Sequence, residues 1–246
     1  MDLKFLSPIA SAGLVAAGLI VVGCGGPGSA KTPEKKAEVK DVKVTPENQA
    51  TLFPFEEGNS WVFNVDIERQ AAGKPKQSGT GQIEYVVKKV TKGANGETRA
   101  SLEVSQDGSK KDMQEWAVDS KGIFQISMKT ERIPFSPKQP VIRFPVKDQD
   151  EFSWQGTGLT PIGKSGKMSY GYKNDGMQIA DTDMGSMNCV YIQSAGKFQS
   201  EDTVGIIATN SWFSPGVGLV RYRQAIKLKD IQSTITLRLK SYNVKK

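Results

Sequence analysis

Trp61-Val62-Phe63-Asn64-Val65-Asp66-Ile67-Glu68 is the stretch that decides the fold. Trp61, Phe63, Val65 and Ile67 share one face, and Asn64, Asp66 and Glu68 occupy the other. A period of two is that of a strand with one buried and one wet face; a helix would scatter the same residues around its axis. The pattern returns where Phe124, Ile126 and Met128 alternate with Gln125, Ser127 and Lys129. Near the end, Ile231, Ile235, Leu237 and Leu239 oppose Gln232, Thr234, Thr236, Arg238 and Lys240.

Working outward, turn-forming residues punctuate these runs: Ala94-Asn95-Gly96, Asp107-Gly108, Lys121-Gly122 and Asn174-Asp175-Gly176. Asn and Gly tolerate the positive φ that tight hairpins demand. No window beyond a turn or two carries an apolar 3.6-residue period with caps. Residues 51–246 are therefore expected to form one all-β domain of ten or more antiparallel strands, as a large curved sheet, a partial (open) barrel or a sandwich. A sheet with one apolar face can be concave, which makes an apolar ligand one expected partner.

Before the domain, Lys4 opens an uncharged run from Phe5 to Gly23 that ends in Val21-Val22-Gly23-Cys24. A charged start, an apolar stretch and small residues at its end are the marks of an export signal over residues 1–23. Residues 24–50 are rich in Gly, Pro, Lys and Glu and hold no aromatic residue, which suits a flexible tether. The cysteine placed directly after a small residue resembles the lipobox of bacterial lipoproteins. That resemblance implies a diacylglyceryl thioether on Cys24, cleavage before it and acylation of the new amino terminus. The expected location is the cell envelope, lipid-anchored to a membrane.

The chain holds 33 Lys and Arg against 26 Asp and Glu, a net +7 that favours anionic surfaces. It contains two cysteines and no histidine. With Cys24 lipidated, Cys189 has no disulfide partner, and the usual general base at neutral pH is missing. No enzyme activity is expected, and no cofactor, metal, nucleotide or nucleic acid.

Three segments resemble a family of bacterial exported proteins and lipoproteins of unknown function. They are Leu52-Phe53-Pro54-Phe55-Glu56-Glu57-Gly58-Asn59-Ser60-Trp61, Met184-Gly185-Ser186-Met187-Asn188-Cys189-Val190 and Trp212-Phe213-Ser214-Pro215-Gly216-Val217-Gly218-Leu219-Val220. The family usually has an aromatic where Met187 stands. The resemblance implies an antiparallel sheet curled into a partial barrel, distantly like the lipoprotein-localisation carriers, which cradle acyl chains. Each segment also has a structural account: Gly58-Asn59 turns into the first strand, and Pro215-Gly216 suits a type II turn.

Four groups could carry chemistry. Gly158-Leu159-Thr160-Pro161-Ile162-Gly163-Lys164-Ser165 matches the phosphate-binding loop pattern, but an alternating strand follows where that chemistry needs a helix. Met177, Met184, Met187 and Cys189 offer soft sulfur ligands, and read better as core. Asp148, Asp150 and Glu151, and Asp181 with Asp183, lack the layout of a calcium loop. Arg221, Arg223, Lys227 and Lys229, with Arg238 and Lys240 on the next strand, form a basic stripe that could face anionic headgroups or simply guard a sheet edge. The expectation is thus a non-enzymatic, membrane-anchored lipoprotein binding a lipid or other apolar ligand. A protein-interaction or scaffold module of the envelope stands as the alternative, and a hydrolase third.

Overall fold

The computed structural model describes residues 43–108, 110–128 and 133–245. The expected export signal over residues 1–23, Cys24 and most of the expected tether lie outside the described residues. Twelve strands follow one another in chain order: β1 (Ser60–Ala71), β2 (Gln77–Lys92), β3 (Thr98–Gln106), β4 (Lys110–Asp119), β5 (Gly122–Ser127), β6 (Pro134–Arg143), β7 (Glu151–Leu159), β8 (Ser165–Thr182), β9 (Gly185–Ser200), β10 (Thr203–Ser214), β11 (Gly218–Lys227) and β12 (Ile231–Asn243). Each pairs antiparallel with its sequence neighbours, and β12 pairs with β1 over Ser60↔Asn243 to Ala71↔Ile231.

That last ladder closes the sheet. The expected open barrel or curved sheet is corrected to a closed twelve-stranded barrel. Alternation along single strands fixes which face is wet, but says nothing about whether the first and last strands meet. Closure removes both sheet edges and their unpaired backbone groups.

One seam is thin. β6 and β7 share a single ladder pair, Ser136↔Thr157. β6 carries Pro134, Pro137 and Pro140, none of which has an N–H to donate. Side chains hold the seam instead. Trp154 Nε1 donates to the Pro137 carbonyl at 3.2 Å, and the Phe135 ring meets Trp154 edge-on at 6.1 Å. β6 lies so close that a Cβ at Gly158 would sit 2.3 Å from the Phe135 ring.

The wall is apolar inside and polar outside. Trp61, Phe63 and Val65 of β1 are buried, as are Ile235, Leu237 and Leu239 of β12. Their outward neighbours include Asn64, Asp66, Glu68, Thr236, Arg238 and Lys240. The outward faces of β1 and β12 are thus polar, without the apolar band that a bilayer-spanning barrel presents there.

The turns at Asn95-Gly96 and Asp107-Gly108 stand as expected, with φ of 60° and 77°, and 46° and 72°. Asn174-Asp175-Gly176 is different. It joins no strands but makes a bulge inside β8, where the register to β9 shifts between Asn174 and Met177. β5 also departs from the simple pattern: Gln125 and Ser127 point inward and are buried, while Phe124 turns outward beneath Lys138, whose Nζ lies 4.0 Å from the ring centroid.

Candidate functional site

The rim at which the chain enters β1 is closed by its own N-terminal segment. Residues 43–50, included above in the tether, form a turn and lead into a 3-10 turn at Gln49–Leu52. Leu52 and Phe53 are buried at this rim. The Phe53 ring stacks on Trp61 at 5.4 Å and on Trp116 at 5.0 Å, and meets Phe55 edge-on at 4.8 Å.

Here the segments 52–61 and 212–220 meet. Trp61 Nε1 donates to the Val217 carbonyl at 2.6 Å, and Gly216 N–H donates to the Thr51 carbonyl at 3.0 Å. Gly216 and Gly218 have φ of 74° and 101°, the left-handed region that glycine reaches without a Cβ clash. Asn59 is fully buried; its Nδ2 donates to the Pro54 carbonyl, and its Oδ1 accepts from Lys245 N–H at 3.0 Å. These residues join both ends of the domain to one turn. Their role in the fold is structural.

The lumen is filled by side chains, including Trp61, Trp116, Phe63, Phe198 and Phe213. A polar row nevertheless crosses it. Gln224 of β11 registers with Thr209 of β10, Thr209 with Ser194 of β9, and Ser194 with Tyr172 of β8. Ser194 and Thr209 hydroxyls lie 2.7 Å apart, Tyr222 donates to Gln224 Oε1 at 3.1 Å, and Gln139 Nε2 donates to the Tyr172 oxygen at 2.8 Å. Gln139 Oε1, Gln224 Nε2 and Ser233 Oγ have no hydrogen-bond partner among the described residues. Groups of this kind are ordinarily satisfied by internal water. Burial holds the Tyr85, Tyr170, Tyr172 and Tyr222 phenols well above their ordinary range. Sequence reading missed this row because each member alternates like any other strand residue. Only the register between strands brings them into one row.

The sequence-predicted groups fall as follows. The Gly158–Ser165 loop runs from the end of β7 into β8, and Lys164 pairs with Glu201 at 2.6 Å. No helix N-terminus follows it, so nothing there matches a phosphate cradle. Cys189 is fully buried, and burial pushes its thiol up to about 12. Met177 and Met184 are instead exposed on the β8–β9 hairpin. Among the described residues no cluster of three or more His, Cys, Asp or Glu could hold a metal ion. Asp150 pairs with Arg143 at 3.5 Å, and Asp181 accepts from the Ser186 hydroxyl at 2.8 Å.

The basic stripe is split by its surroundings. Arg221 and Arg238 register across β11 and β12, but the Arg221 guanidinium lies over the Trp212 ring at 5.0 Å. Arg238 pairs with Asp66 and, at 3.5 Å, with Asp183. Arg223 borders a depression that also holds Asp66 and Glu68. Lys227 ends β11, Lys229 stands in the turn after it, and Lys240 is exposed on β12.

A larger depression, about 560 Å³, lies across β7, β8 and β9 on the outer wall. Gln155, Thr157, Lys167, Ser169, Lys197 and Gln199 line it. No carboxylate does.

The fold and these surfaces define a closed all-β barrel with a packed interior. No protein-family model matches the chain, and no curated protein matches it. Among solved structures, it is similar to a protein of Parabacteroides distasonis described as a lipoprotein (19% identity, TM-score 0.47, covering 78% of this chain and 98% of that one). It is also similar to an exported protein of Bacteroides fragilis with a YmcC-like fold (13%, TM-score 0.44, 78% and 98%). A third is the hypothetical lipoprotein YmcC of Escherichia coli (12%, TM-score 0.34, 72% and 87%).

Proposed function

We propose that the chain is a non-enzymatic lipoprotein of the cell envelope, tethered to a membrane through lipid on Cys24, whose barrel binds envelope components on its outer wall. The observation that carries the second half is the polar row in a filled lumen. An acyl chain threaded through the barrel would have to displace side chains such as Trp61, Phe63, Phe198 and Phe213 that already fill it, and would leave Gln139 Oε1 and Gln224 Nε2 facing hydrocarbon. The wall is therefore the better recognition surface. The anchor half rests on the sequence around Cys24, where two or more acyl chains would give stable attachment. The chain has no histidine, and the Cys189 thiol is held neutral, which supports a binding rather than a catalytic role.

Two measurements test this reading. Alkyne-palmitate labelling should mark the chain and be lost in Cys24→Ala; a labelled Cys24→Ala chain would overturn the anchor. In native mass spectrometry, the detergent-purified chain should carry no lipid beyond the anchor and take up no fluorescent fatty acid. A stoichiometric fatty acid would instead place the ligand in the lumen and overturn the outer-wall reading.

A further inference from the structure

The depression on the outer wall of β7–β9, about 560 Å³, is shallow and open to solvent. Its make-up follows from the register. Thr157 pairs with Lys167 and Lys167 with Gln199, while Gln155 pairs with Ser169 and Ser169 with Lys197. All six side chains therefore lie on the wet face of adjacent strands, in two parallel rows, each row carrying one lysine. Across β10, Val204 and Ile206 continue the rows opposite Gln199 and Lys197. Both are exposed, at 59% and 48%, beside the polar side chains of β7–β9.

Charge in this area is uncompensated. Neither Lys167 nor Lys197 pairs with a carboxylate among the described residues, whereas Lys164 nearby is held by Glu201, and Lys173 by Asp175 at 2.6 Å. Two free ammonium groups call for an anion. The amides of Gln155 and Gln199 and the hydroxyls of Thr157 and Ser169 both donate and accept, which suits ligand hydroxyls. Val204 and Ile206 offer an apolar shelf that would bury C–H faces.

We propose that this trough binds an acidic oligosaccharide, with Lys167 and Lys197 pairing successive carboxylates and the amide and hydroxyl side chains reading sugar hydroxyls. Sugar rings present C–H faces, hydroxyls and, in uronic acids, carboxylates along one extended chain. That combination matches the three kinds of group in the trough. A polyphosphate would engage the lysines and use the amides and hydroxyls only as donors, leaving the apolar shelf and the amide acceptors unused. The proposal rests on the outer-wall reading above and names the chemistry of that surface.

The test is calorimetric titration of the full-length chain in detergent with hexagalacturonate, with maltohexaose and hexaphosphate as neutral and non-sugar comparisons. Hexagalacturonate should bind, and more tightly than either comparison. The double variant K167Q/K197Q should bind it about tenfold more weakly, on the order expected for two exposed charge contacts, while its thermal melt is unchanged because both side chains are outward. Lys229→Gln, off the trough, should bind as the parent does. Equal binding of hexagalacturonate and maltohexaose, no effect of K167Q/K197Q, or equal or tighter binding of hexaphosphate would each overturn the proposal. A chain that binds no hexagalacturonate and still takes up no fatty acid refutes the saccharide while leaving the outer-wall reading intact.

Discussion

Phe53→Ala tests whether the N-terminal segment is an integral part of the barrel or an ornament at its rim. The Phe53 ring is 5% exposed and lies between Trp61 and Trp116, with Phe213 edge-on at 6.4 Å. Truncating a buried aromatic side chain costs ~3–5 kcal/mol, part of it from aromatic pairs worth ~0.5–1.5 kcal/mol each. Against a total stability of about 5–15 kcal/mol, that is a large fraction. In a domain of this size each kcal/mol moves the melting midpoint by roughly 2–4 °C, so the expected fall is about 6–20 °C. Thermal unfolding of the detergent-purified chain followed by circular dichroism reads it. The near-ultraviolet band from the stacked indoles should weaken as well. Phe55→Ala should cost less, because Phe55 is only partly buried and touches Phe53 by an edge. A midpoint shift below about 3 °C, or a larger effect from Phe55 than from Phe53, would refute an integral role for the segment that closes the rim.

The Cys189 thiol, pushed up to about 12 by burial, should resist Ellman's reagent at pH 8 until the chain is unfolded. Its folded pKa is raised from 9.0, so the stability it lends is full below about 9 and lost as pH climbs towards 12; Cys189→Ala should flatten that part of a denaturation-versus-pH curve. Absorbance at 295 nm should show Tyr85, Tyr170, Tyr172 and Tyr222 ionising only together with alkaline unfolding, and smooth titration of all tyrosines near pH 10 in the folded protein would contradict their burial. Lys138 bonds Glu97 at 2.8 Å and Asp119 at 2.6 Å and holds both carboxyls below their usual range, Glu97 chiefly through its hydrogen bond and Asp119 against the opposing effect of burial. That contribution is present above about pH 4.5 and fades as pH falls through the lowered values, so Lys138→Met should lose roughly 1 kcal/mol in urea denaturation at pH 7 and progressively less towards pH 3. Gly158→Ala, whose new Cβ would meet the Phe135 ring, should destabilise the β6–β7 seam by about 1–3 kcal/mol, whereas Lys164→Ala should stay within about 0.5 kcal/mol and leave ATP unbound as before.

Much of the wall was written in single strands. The alternation at Trp61–Glu68 and Ile231–Lys240 gave the inward and outward faces of β1 and β12, because a strand's side chains point to opposite sides whatever lies across from them. Asn95-Gly96 and Asp107-Gly108 marked hairpins for an equally local reason, since positive φ favours those residue types. Histidine's absence and the run ending at Cys24 were readable for the same reason: they belong to the chain, not to its packing.

Other features exist only once distant residues meet. β1 and β12 pair residues about 160–180 positions apart, and that pairing, which no local pattern encodes, turned a curved sheet into a closed barrel. Asn174-Asp175-Gly176 has turn residues but sits in a strand with a partner on each side, so the ladder absorbed it as a bulge. Gln125 and Ser127 face the lumen while Phe124 faces out, because at that level other polar side chains share the interior. Lys167 and Lys197 stand thirty positions apart in sequence and become near neighbours only through the β8–β9 register. The sequence by itself determined that the chain forms strands and which side of β1 and β12 is wet. Tertiary structure decided closure, what fills the lumen and which charges stand together, because each depends on pairings between segments that no single segment contains.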